Sequence, residues 1–458
     1  MEQSTIAAIA TAPGESGIGI VRMSGPQALT TLRRVFRDNR GRKRERFTAR
    51  HLYLGYIVDE KEQMLDQVLV SYMPGPTSYT GEDIVAVNSH GGALILREIL
   101  SLLLRQPEVR LAEPGEFTQR AFLNGKLDLM QAEAVIDLIQ AKSKTALQQA
   151  GRLLRGELSQ RVLGIREQIV ELLATAAASI DFPEQDIPEI TSQRMLEGIG
   201  KALQAMEVLL STSFAGRVLR EGLQVAIVGR PNVGKSSLLN ALVGKERAIV
   251  TDIAGTTRDV IEEYFSISGI PIRLLDTAGM RETEDPVERI GVALAEQTMR
   301  DADLVLMVID QSQPLQEEDG ATLDVVAGQR RFIVLNKSDL PSGLTAEDRD
   351  KLATEQVFQV SAVTLEGLDE LRSAMADLVV QGVLQPESPF VANARQEQLL
   401  REAASSLQAA RETVAAGWPL DMVQVDLQAA ADRLGEMVGL KASADLAREI
   451  FSRFCIGK

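Results

Sequence analysis

The chain of 458 residues has little of the two side chains that most often build disulfides and transition-metal sites. It contains one cysteine, Cys455, and two histidines, His51 and His90. A single thiol excludes an internal disulfide framework and a cysteine-based zinc site, and it fits a reducing compartment. Two histidines are too few for a histidine-rich metal site.

Aromatic side chains, net positive charge and long apolar runs are also scarce. Aromatic residues make up 4% of the sequence, so the core must rest on aliphatic side chains, which favours helices. The 64 acidic and 49 basic residues give a net charge of −15, which argues against a basic nucleic-acid clamp as a description of the whole chain. The longest uncharged run, residues 67–81, contains two prolines, so no membrane span is expected. Because a positively charged signal region is also lacking, we expect a cytoplasmic protein.

The first part of the chain has the pattern of a mixed domain. Residues 1–120 combine short apolar runs with turn residues, which is typical of an α+β module. Strands are predicted at residues 6–10, 19–23, 64–72 and 83–88, and helices at 27–36 and 93–105. Further on, apolar residues recur along one stripe from Leu147 to Leu172, which predicts an amphipathic helix packed against other helices. Another helix is predicted at 195–210.

From residue 222 onward, buried-type strands alternate with helical stretches, which predicts a parallel α/β sheet. These strands are predicted at residues 223–228, 272–275, 304–309, 332–335 and 357–360. After residue 386 the helical pattern returns, with helices predicted at 396–416 and 421–454. The two helical regions are compatible with one packed unit into which the α/β domain is inserted.

The first strand of the α/β region runs directly into a glycine-rich loop followed by a helix. The loop is Gly229-Arg230-Pro231-Asn232-Val233-Gly234-Lys235-Ser236. This context matches a phosphate-binding loop, in which backbone N–H groups and a helix N-terminus converge on phosphate oxygens. We expect Lys235 to neutralise the β- and γ-phosphates and the Ser236 hydroxyl to bind Mg²⁺.

Three later segments supply the other parts of a GTPase. They are Asp276-Thr277-Ala278-Gly279, Asn336-Lys337-Ser338-Asp339 and Ser361-Ala362. We expect Asp276 to hold Mg²⁺ through water and the Gly279 amide to reach the γ-phosphate. The Asp339 carboxylate can accept from both the ring N–H and the exocyclic amine of guanine, a donor pair that adenine lacks. The order of these elements therefore predicts a GTPase domain.

The water-orienting residue is missing from its usual place. Ras-type GTPases have a glutamine directly after the D-x-x-G element, and here that position is Met280. Replacements are available in the acidic stretch Glu282, Glu284, Asp285 and Glu288, although a solvated loop charge is the simpler interpretation of any one of them. In the preceding loop, residues 255–259, we predict that Thr257 completes the Mg²⁺ coordination.

The phosphate loop and residues 255–259 resemble the TrmE–Era–EngA branch of GTPases. Residues 79–83, residues 114–129 and the terminal Phe454-Cys455-Ile456-Gly457-Lys458 narrow the resemblance to the MnmE (TrmE) family over essentially the whole chain. The resemblance implies a multidomain protein of class α/β plus all-α. It implies an N-terminal α+β folate-binding and dimerisation domain (1–120), a discontinuous helical domain (121–216 and 383–458) and an inserted Ras-like G domain (217–382).

The resemblance also implies an activity and its partners. It implies a potassium-activated GTPase that forms a homodimer and acts with the flavoprotein MnmG, in a heterotetramer, on the wobble uridine of certain tRNAs. The group added would be carboxymethylaminomethyl or aminomethyl, with a one-carbon unit from 5-formyl- or methylene-tetrahydrofolate. The cofactors implied are GTP, Mg²⁺, K⁺ and this tetrahydrofolate derivative.

Individual site residues follow from the resemblance. K⁺ would be bound by oxygens of Asn232, Thr251, Ile253 and Thr256. Glu288 would orient the attacking water and so fill the gap left by Met280, with Lys235 and Asn232 completing the catalytic set. The folate would be bound by Arg22, Glu82, Lys126 and Lys458, with Cys455 adjacent to the site. The nucleotide would be bound by Asn232, Val233, Gly234, Lys235, Ser236, Ser237, Thr251, Thr256, Thr257, Asp276, Thr277, Ala278, Gly279, Asn336, Lys337, Asp339, Ser361 and Ala362.

Alternatives stay open at this point. One is an Era-like ribosome-assembly or RNA-binding switch, and another is a folate-dependent one-carbon transferase with a regulatory G domain. A third is a scaffold that does not hydrolyse GTP. Two features depart from the family pattern: Val363 replaces a frequent lysine, and residues 33–50 carry nine basic against two acidic residues. This basic run either contacts tRNA phosphates or is a solvated loop.

Overall fold

The computed structural model describes residues 4–181, 192–244, 264–275, 302–380, 389–441, 444–452, 454 and 456–457. Contacts within the chain divide it into two compact units. The first comprises Met1–Ile136, Leu154–Leu163 and Leu434–Lys458, and the second comprises Asp137–Leu153 and Gly164–Arg433. None of the helices in the described ranges combines the length and the apolar character that crossing a bilayer requires.

The described strands fall into two sheets. They are β1 (Thr5–Ile9), β2 (Ser16–Ser24), β3 (Phe36–Asp38), β4 (Leu52–Val58), β5 (Met64–Met73), β6 (Ile84–Gly91), β7 (Val109–Leu111), β8 (Leu223–Val228), β9 (Tyr264–Ile267), β10 (Ile270–Leu274), β11 (Leu304–Asp310), β12 (Arg331–Asn336) and β13 (Val357–Gln359). The predicted strands at 6–10, 19–23, 64–72 and 83–88 are confirmed by β1, β2, β5 and β6, with small differences at their ends. Those predicted from 223 to 360 are confirmed by β8 and β10 to β13, and β8 has the predicted bounds.

The described helices occur between and after these strands along the chain. They are α1 (Ala28–Val35), α2 (Ala93–Leu104), α3 (Glu116–Leu123), α4 (Leu129–Gln140), α5 (Lys144–Leu154), α6 (Glu157–Asp181), α7 (Ser192–Leu210), α8 (Ser213–Glu221), α9 (Lys235–Val243), α10 (Glu317–Val325), α11 (Ala346–Leu352), α12 (Leu368–Val380), α13 (Ala394–Ala415), α14 (Leu420–Val438) and α15 (Ala444–Ser452). The helices predicted at 27–36, 93–105 and 195–210 are confirmed by α1, α2 and α7.

The first unit is built on a seven-stranded sheet with the order β3-β4-β5-β6-β2-β1-β7. Only the pairing of β1 with β7 is parallel. Because successive side chains alternate between faces, β2 directs Val21 and Met23 to the face that α1 and α2 cover. On the opposite face, Ile6 and Ala8 of β1 pack with Phe117 of α3. The sheet therefore has a helix layer on one face and α3 over part of the other.

The second unit contains a six-stranded sheet with the order β13-β12-β11-β8-β10-β9. All its pairs are parallel except β9 with β10. Apolar clusters cover both of its faces, which explains the continuous apolar runs in β8 and β11. The carboxyl ends of β8, β11 and β12 meet at one edge, where ligands of open α/β sheets bind.

The helices before and after this α/β region pack together within the second unit. Helix α13 lies along α7, and the Arg166 guanidinium of α6 donates to the Ala431 carbonyl of α14. The two helical regions that flank the α/β region therefore contact each other.

Two predicted helices are interrupted by glycines, so the predictions were wrong in extent. The stripe from Leu147 to Leu172 spans two helices, α5 and α6, which are separated where Gly156 takes a φ of +78°. The helix predicted at 421–454 ends at Val438, because Gly439 takes a φ of +90°. A Cβ on Gly439 would lie 2.8 Å from the Phe122 ring, so close packing requires glycine there.

Candidate functional site

The phosphate loop folds tightly between β8 and α9. Gly229 has a φ of +143°, and a Cβ on it would collide with the Val308 carbonyl oxygen. Gly234 has a φ of +96°, and a Cβ there would collide with the Asn336 amide. Asn232 also takes a left-handed conformation, with a φ of +63° and an exposed side chain. The loop backbone thus wraps closely around the N-terminus of α9, as anion binding by backbone N–H groups requires.

Lys235 is the first residue of α9 and spans the loop. Its ammonium donates to the carbonyl oxygens of Gly229 and Arg230, each at 2.8 Å. Both partners are neutral, and burial lowers the pKa of Lys235. A phosphate oxygen at this point would supply the negative charge that favours the ammonium form. Ser236 and Ser237 follow in the first helical turn and are exposed.

Asn336, the last residue of β12, joins the phosphate loop to the segment after β13. Its buried side chain donates from Nδ2 to the Val233 carbonyl at 2.9 Å. Its Oδ1 accepts from the Ala362 backbone N–H at 3.2 Å. One amide therefore fixes the spacing between two predicted nucleotide-binding segments.

Lys337 makes a second connection to the same loop. Its ammonium donates to the Asn232 carbonyl at 3.0 Å and to Asp310 Oδ2 at 2.6 Å. Burial alone would raise the pKa of Asp310, but the hydrogen bonds from Lys337 and Ser312 outweigh it and lower that pKa. Asp310 was not among the predicted site residues, although an acidic residue that ends a wholly apolar strand is a recognisable feature.

Asp339 is exposed and held by Ser361. The fully buried Ser361 hydroxyl donates to Asp339 Oδ1 at 2.6 Å and accepts from the Thr364 backbone N–H at 3.0 Å. One carboxylate oxygen is thus oriented, while the carboxylate remains accessible. Val363 is 80% exposed, so its side chain is available beside this position in place of the frequent lysine.

A buried ion pair that the sequence analysis missed ties the phosphate loop to α10. The Arg230 guanidinium donates to Asp319 Oδ1 at 2.8 Å, and Asp319 is fully buried in the first turn of the helix. Asp319 Oδ2 also accepts from the Gln316 backbone N–H at 3.0 Å. Nothing in the local sequence of either residue indicates this pairing across 89 positions.

Several predicted site residues lie outside the described residues. They are Thr251, Ile253, Thr256, Thr257, Asp276, Thr277, Ala278, Gly279, Glu288, Cys455 and Lys458. The predicted replacement of Met280 by Glu288 therefore stays a prediction from the sequence.

The first unit contains three of the predicted folate residues. Arg22 of β2 lies with its guanidinium carbon 5.9 Å from the centre of the Phe117 ring, and burial lowers its pKa. Ser24 lies two residues further on the same face and donates to Glu82 Oε2 at 2.7 Å. This places Arg22 and Glu82 on one side of the sheet. Lys126 is exposed in the turn after α3, and no described contact joins it to either residue.

Glu82 is held by a charged chain that the sequence analysis did not assign. Arg120 of α3 donates to Glu82 Oε2 at 2.9 Å and to Glu116 Oε1 at 2.8 Å. Glu116 is buried and also accepts from Arg110 of β7 at 2.8 Å. The i, i+4 spacing of Glu116 and Arg120 was the available indication.

The Tyr79 side chain lies beside the same face. Its hydroxyl is 2.9 Å from the Thr118 hydroxyl of α3, and burial raises the pKa of Tyr79. The segment that carries Glu82 is further fixed by Asn124, which donates to the Thr80 carbonyl at 2.7 Å. An arginine, a tyrosine ring and a carboxylate therefore share one partly buried surface.

Comparisons with known proteins cover the whole chain. Residues 5–126 match the family model of the GTP-binding protein TrmE N-terminus, and residues 129–455 match that of the MnmE helical domain. A curated relative from Enterococcus faecalis, named tRNA modification GTPase MnmE, is 46% identical over 100% of this chain and 99% of its own length. Relatives of the same name from Clostridioides difficile and Carboxydothermus hydrogenoformans are 45% and 44% identical over at least 99% of both chains. The protein therefore belongs to the MnmE family of tRNA modification GTPases.

Proposed function

We propose that this protein is a potassium-activated GTPase that acts with the flavoprotein MnmG on the wobble uridine of certain tRNAs. The product group is carboxymethylaminomethyl or aminomethyl, and a tetrahydrofolate derivative supplies the one-carbon unit. The relatives' name supports the tRNA modification, and Asn336 is the single observation that best supports the nucleotide site. Its side chain forms hydrogen bonds with both Val233 and Ala362, so the phosphate loop and the proposed base-binding segment are held at a fixed spacing.

The described residues fit a guanine nucleotide. The glycines of the phosphate loop allow its backbone to pack closely against the Val308 carbonyl and the Asn336 amide, and Lys235 is a half-buried cation held by neutral carbonyls. Asp339 presents an oriented carboxylate to the guanine N–H groups, beside Lys337. Ser236 is proposed to hold Mg²⁺, with Thr257 and the Asp276–Gly279 segment completing the site around the γ-phosphate.

Hydrolysis is proposed to depend on Asn232 and Glu288. The left-handed φ of Asn232 exposes its side chain at the loop, where its oxygen is free to bind K⁺ together with oxygens of Thr251, Ile253 and Thr256. A cation beside the β–γ bridge supplies the charge stabilisation that an arginine finger supplies elsewhere. Glu288 orients the attacking water, which Met280 cannot do because its side chain has no strong hydrogen-bonding group.

The first unit is proposed to bind the folate and to form the homodimer. Arg22 and Lys126 suit the folate carboxylates, Glu82 suits the pterin N–H groups, and Lys458 and Cys455 complete the site. For the dimer, Leu52, Leu54 and Leu69 form an exposed apolar patch on adjacent strands, with Leu54 opposite Leu69 in the register. Leu52 is 64% exposed, so a second copy of this face would bury substantial apolar area. We assign domains to residues 1–120, 121–216 with 383–458, and 217–382, in a cytoplasmic protein.

The test is steady-state GTP hydrolysis in KCl and in NaCl at equal ionic strength. We expect K⁺ to raise kcat for the wild type, and Glu288→Ala to abolish turnover with little change in GTP affinity. Asn232→Ala should remove the K⁺ stimulation. The matched control is Glu284→Ala, which removes a neighbouring carboxylate and should hydrolyse GTP like the wild type. Turnover that is equal in both salts, or that survives in Glu288→Ala, would contradict the proposal.

A further inference from the structure

We propose that residues 38–47 form a surface that holds the phosphate backbone of tRNA. We call these residues the basic loop; they begin at the last residue of β3 and continue into the connection to β4, at the edge of the N-terminal sheet. The inference rests on the proposed function, which makes tRNA a partner, and it names the surface that this partner contacts. It also gives a role to a basic run that matches no family motif.

The basic loop has a defined fold. Asp38 Oδ1 accepts from the backbone N–H groups of Arg40 and Arg42, each at 2.9 Å. An isolated bridge pairs Arg37 with Lys43 in antiparallel fashion. At the end of the loop, the Phe47 ring is buried edge-on against Phe36, with centroids 5.6 Å apart. These contacts hold the backbone from which the basic side chains project, so part of the ordering cost of binding is already met.

The basic loop has five basic and two acidic side chains and so keeps a net positive charge. Arg40, Lys43 and Arg46 are exposed, and within the described ranges none of them makes an ion pair. Arg42 reaches Asp38 only at 3.4 Å. The neighbouring Arg37 differs, because it is buried and bonded to Glu62. The chain as a whole has a net charge of −15, so the basic loop is a local region of positive charge that attracts anions.

The stacked guanidinium of Arg44 favours binding of nucleic acid. Its guanidinium carbon lies 4.0 Å from the centre of the Tyr53 ring, and the Tyr53 hydroxyl accepts from the Thr48 backbone N–H at 2.8 Å. The stacking fixes the plane of the guanidinium, and a planar guanidinium binds phosphate through two parallel N–H bonds. Residues 38–46 contain no apolar side chain with which to enter a bilayer interface, so RNA phosphate fits better than a membrane surface.

The test is equilibrium binding of fluorescently labelled, unmodified tRNA to the full chain at 50 to about 250 mM NaCl. The triple variant Arg40→Ala, Lys43→Ala and Arg46→Ala should bind about tenfold more weakly at low salt. For this variant, the slope of log affinity against log salt concentration should be less negative by about 2 to 3. The matched control is Lys201→Ala, Lys351→Ala and Arg411→Ala, which removes three exposed charges from α7, α11 and α13 and should bind like the wild type.

The possible outcomes distinguish failure of the proposed tRNA surface from failure of the proposed function. The proposal would be contradicted if the wild type and the basic-loop variant bound tRNA with equal affinity. It would also be contradicted if the basic-loop variant and the control variant lost affinity equally. Loop-dependent binding to phosphatidylglycerol vesicles without loop-dependent binding to tRNA would contradict it too. A wild type that fails to bind tRNA but keeps K⁺-stimulated hydrolysis would overturn it as well. GTP hydrolysis should be unchanged in the triple variant, and loss of hydrolysis in the wild type would instead contradict the proposed function.

Discussion

The side-chain amide of Asn336 donates a 2.9 Å hydrogen bond to the Val233 carbonyl, although 103 positions separate the two residues. The same side chain accepts from Ala362, so three segments that are proposed to bind one nucleotide are connected through a single buried residue. Asn336 therefore fixes the spacing between the phosphate loop and the segment after β13.

Asn336→Ala tests this connection. The substitution leaves the Val233 carbonyl and the Ala362 N–H without this partner, which costs about 1 to 3 kcal/mol for the buried carbonyl and less for the half-buried N–H. We expect a lower melting temperature and weaker GTP binding, measured by calorimetry on the full chain. Asn240→Ala removes an exposed amide from α9 and is the control. A variant with wild-type melting and affinity would mean that the bridge contributes nothing.

Asp339→Asn tests the choice of base. The substitution replaces a carboxylate that is proposed to accept from two guanine N–H groups, each worth about 1.5 to 3 kcal/mol, so GTP affinity should fall by at least about 100-fold. Binding of xanthosine triphosphate should rise, because an amide donor suits its additional carbonyl. Ser361→Ala removes the 2.6 Å hydrogen bond that orients the carboxylate, together with the bond that the hydroxyl accepts from Thr364, and a loss of about two- to tenfold is expected. Unchanged base preference in Asp339→Asn would place the guanine elsewhere.

Arg120→Met tests whether the folate site depends on the orientation of Glu82. The variant keeps the apolar stem and removes the guanidinium that bonds both Glu82 and Glu116. We expect binding of 5-formyl-tetrahydrofolate to weaken by at least about tenfold, because a carboxylate that loses a charged partner also loses its orientation. Arg97→Met changes an exposed arginine on α2 and should bind normally. Equal folate affinities in Arg120→Met and Arg97→Met would show that Arg120 does not contribute to the folate site.

The lowered pKa of Glu116 predicts how the stability of the first unit changes as the pH falls. Burial alone would raise its pKa, but hydrogen bonds from Arg110, the Glu113 backbone and Arg120 lower it overall. A carboxyl whose folded pKa is depressed contributes stability above the unfolded pKa of about 4.3, and this contribution is lost as the pH falls through the folded value.

Glu116→Gln should therefore lower stability at pH 7, and its difference from the wild type should shrink as the pH falls below about 4. Urea unfolding followed by tyrosine fluorescence is a suitable measurement, because four of the five tyrosines lie between residues 53 and 79. Glu98→Gln, an exposed carboxylate on α2, is the control. A constant difference across this pH range would contradict the lowered pKa.

Local patterns were sufficient to predict the elements that carry the nucleotide-binding segments. Strand β8 has the predicted bounds because an apolar run ends abruptly at Gly229, and the parallel strands of the second unit follow from similar runs. The helices were predicted too long where glycines interrupt a continuous apolar pattern. At Gly156 and Gly439 the helical periodicity continues past the break, and only the left-handed backbone ends the helix.

Long-range pairs could not be predicted from the sequence. Asp319 holds Arg230 across 89 positions, and Arg120 holds Glu82 across 38. Neither pairing has a periodic or motif pattern, because it depends on which elements the fold brings together. These pairs position the predicted residues, whereas the residues expected to contact the ligand belong to short segments with recognisable spacing.

GTP hydrolysis by this protein is proposed to serve wobble-uridine modification. The most direct measurement is mass spectrometry of tRNA nucleosides from cells with and without the gene. We predict that the modified wobble uridines disappear without it, return with the wild type, and do not return with Glu288→Ala. An unchanged nucleoside profile in cells that lack the gene would contradict the account.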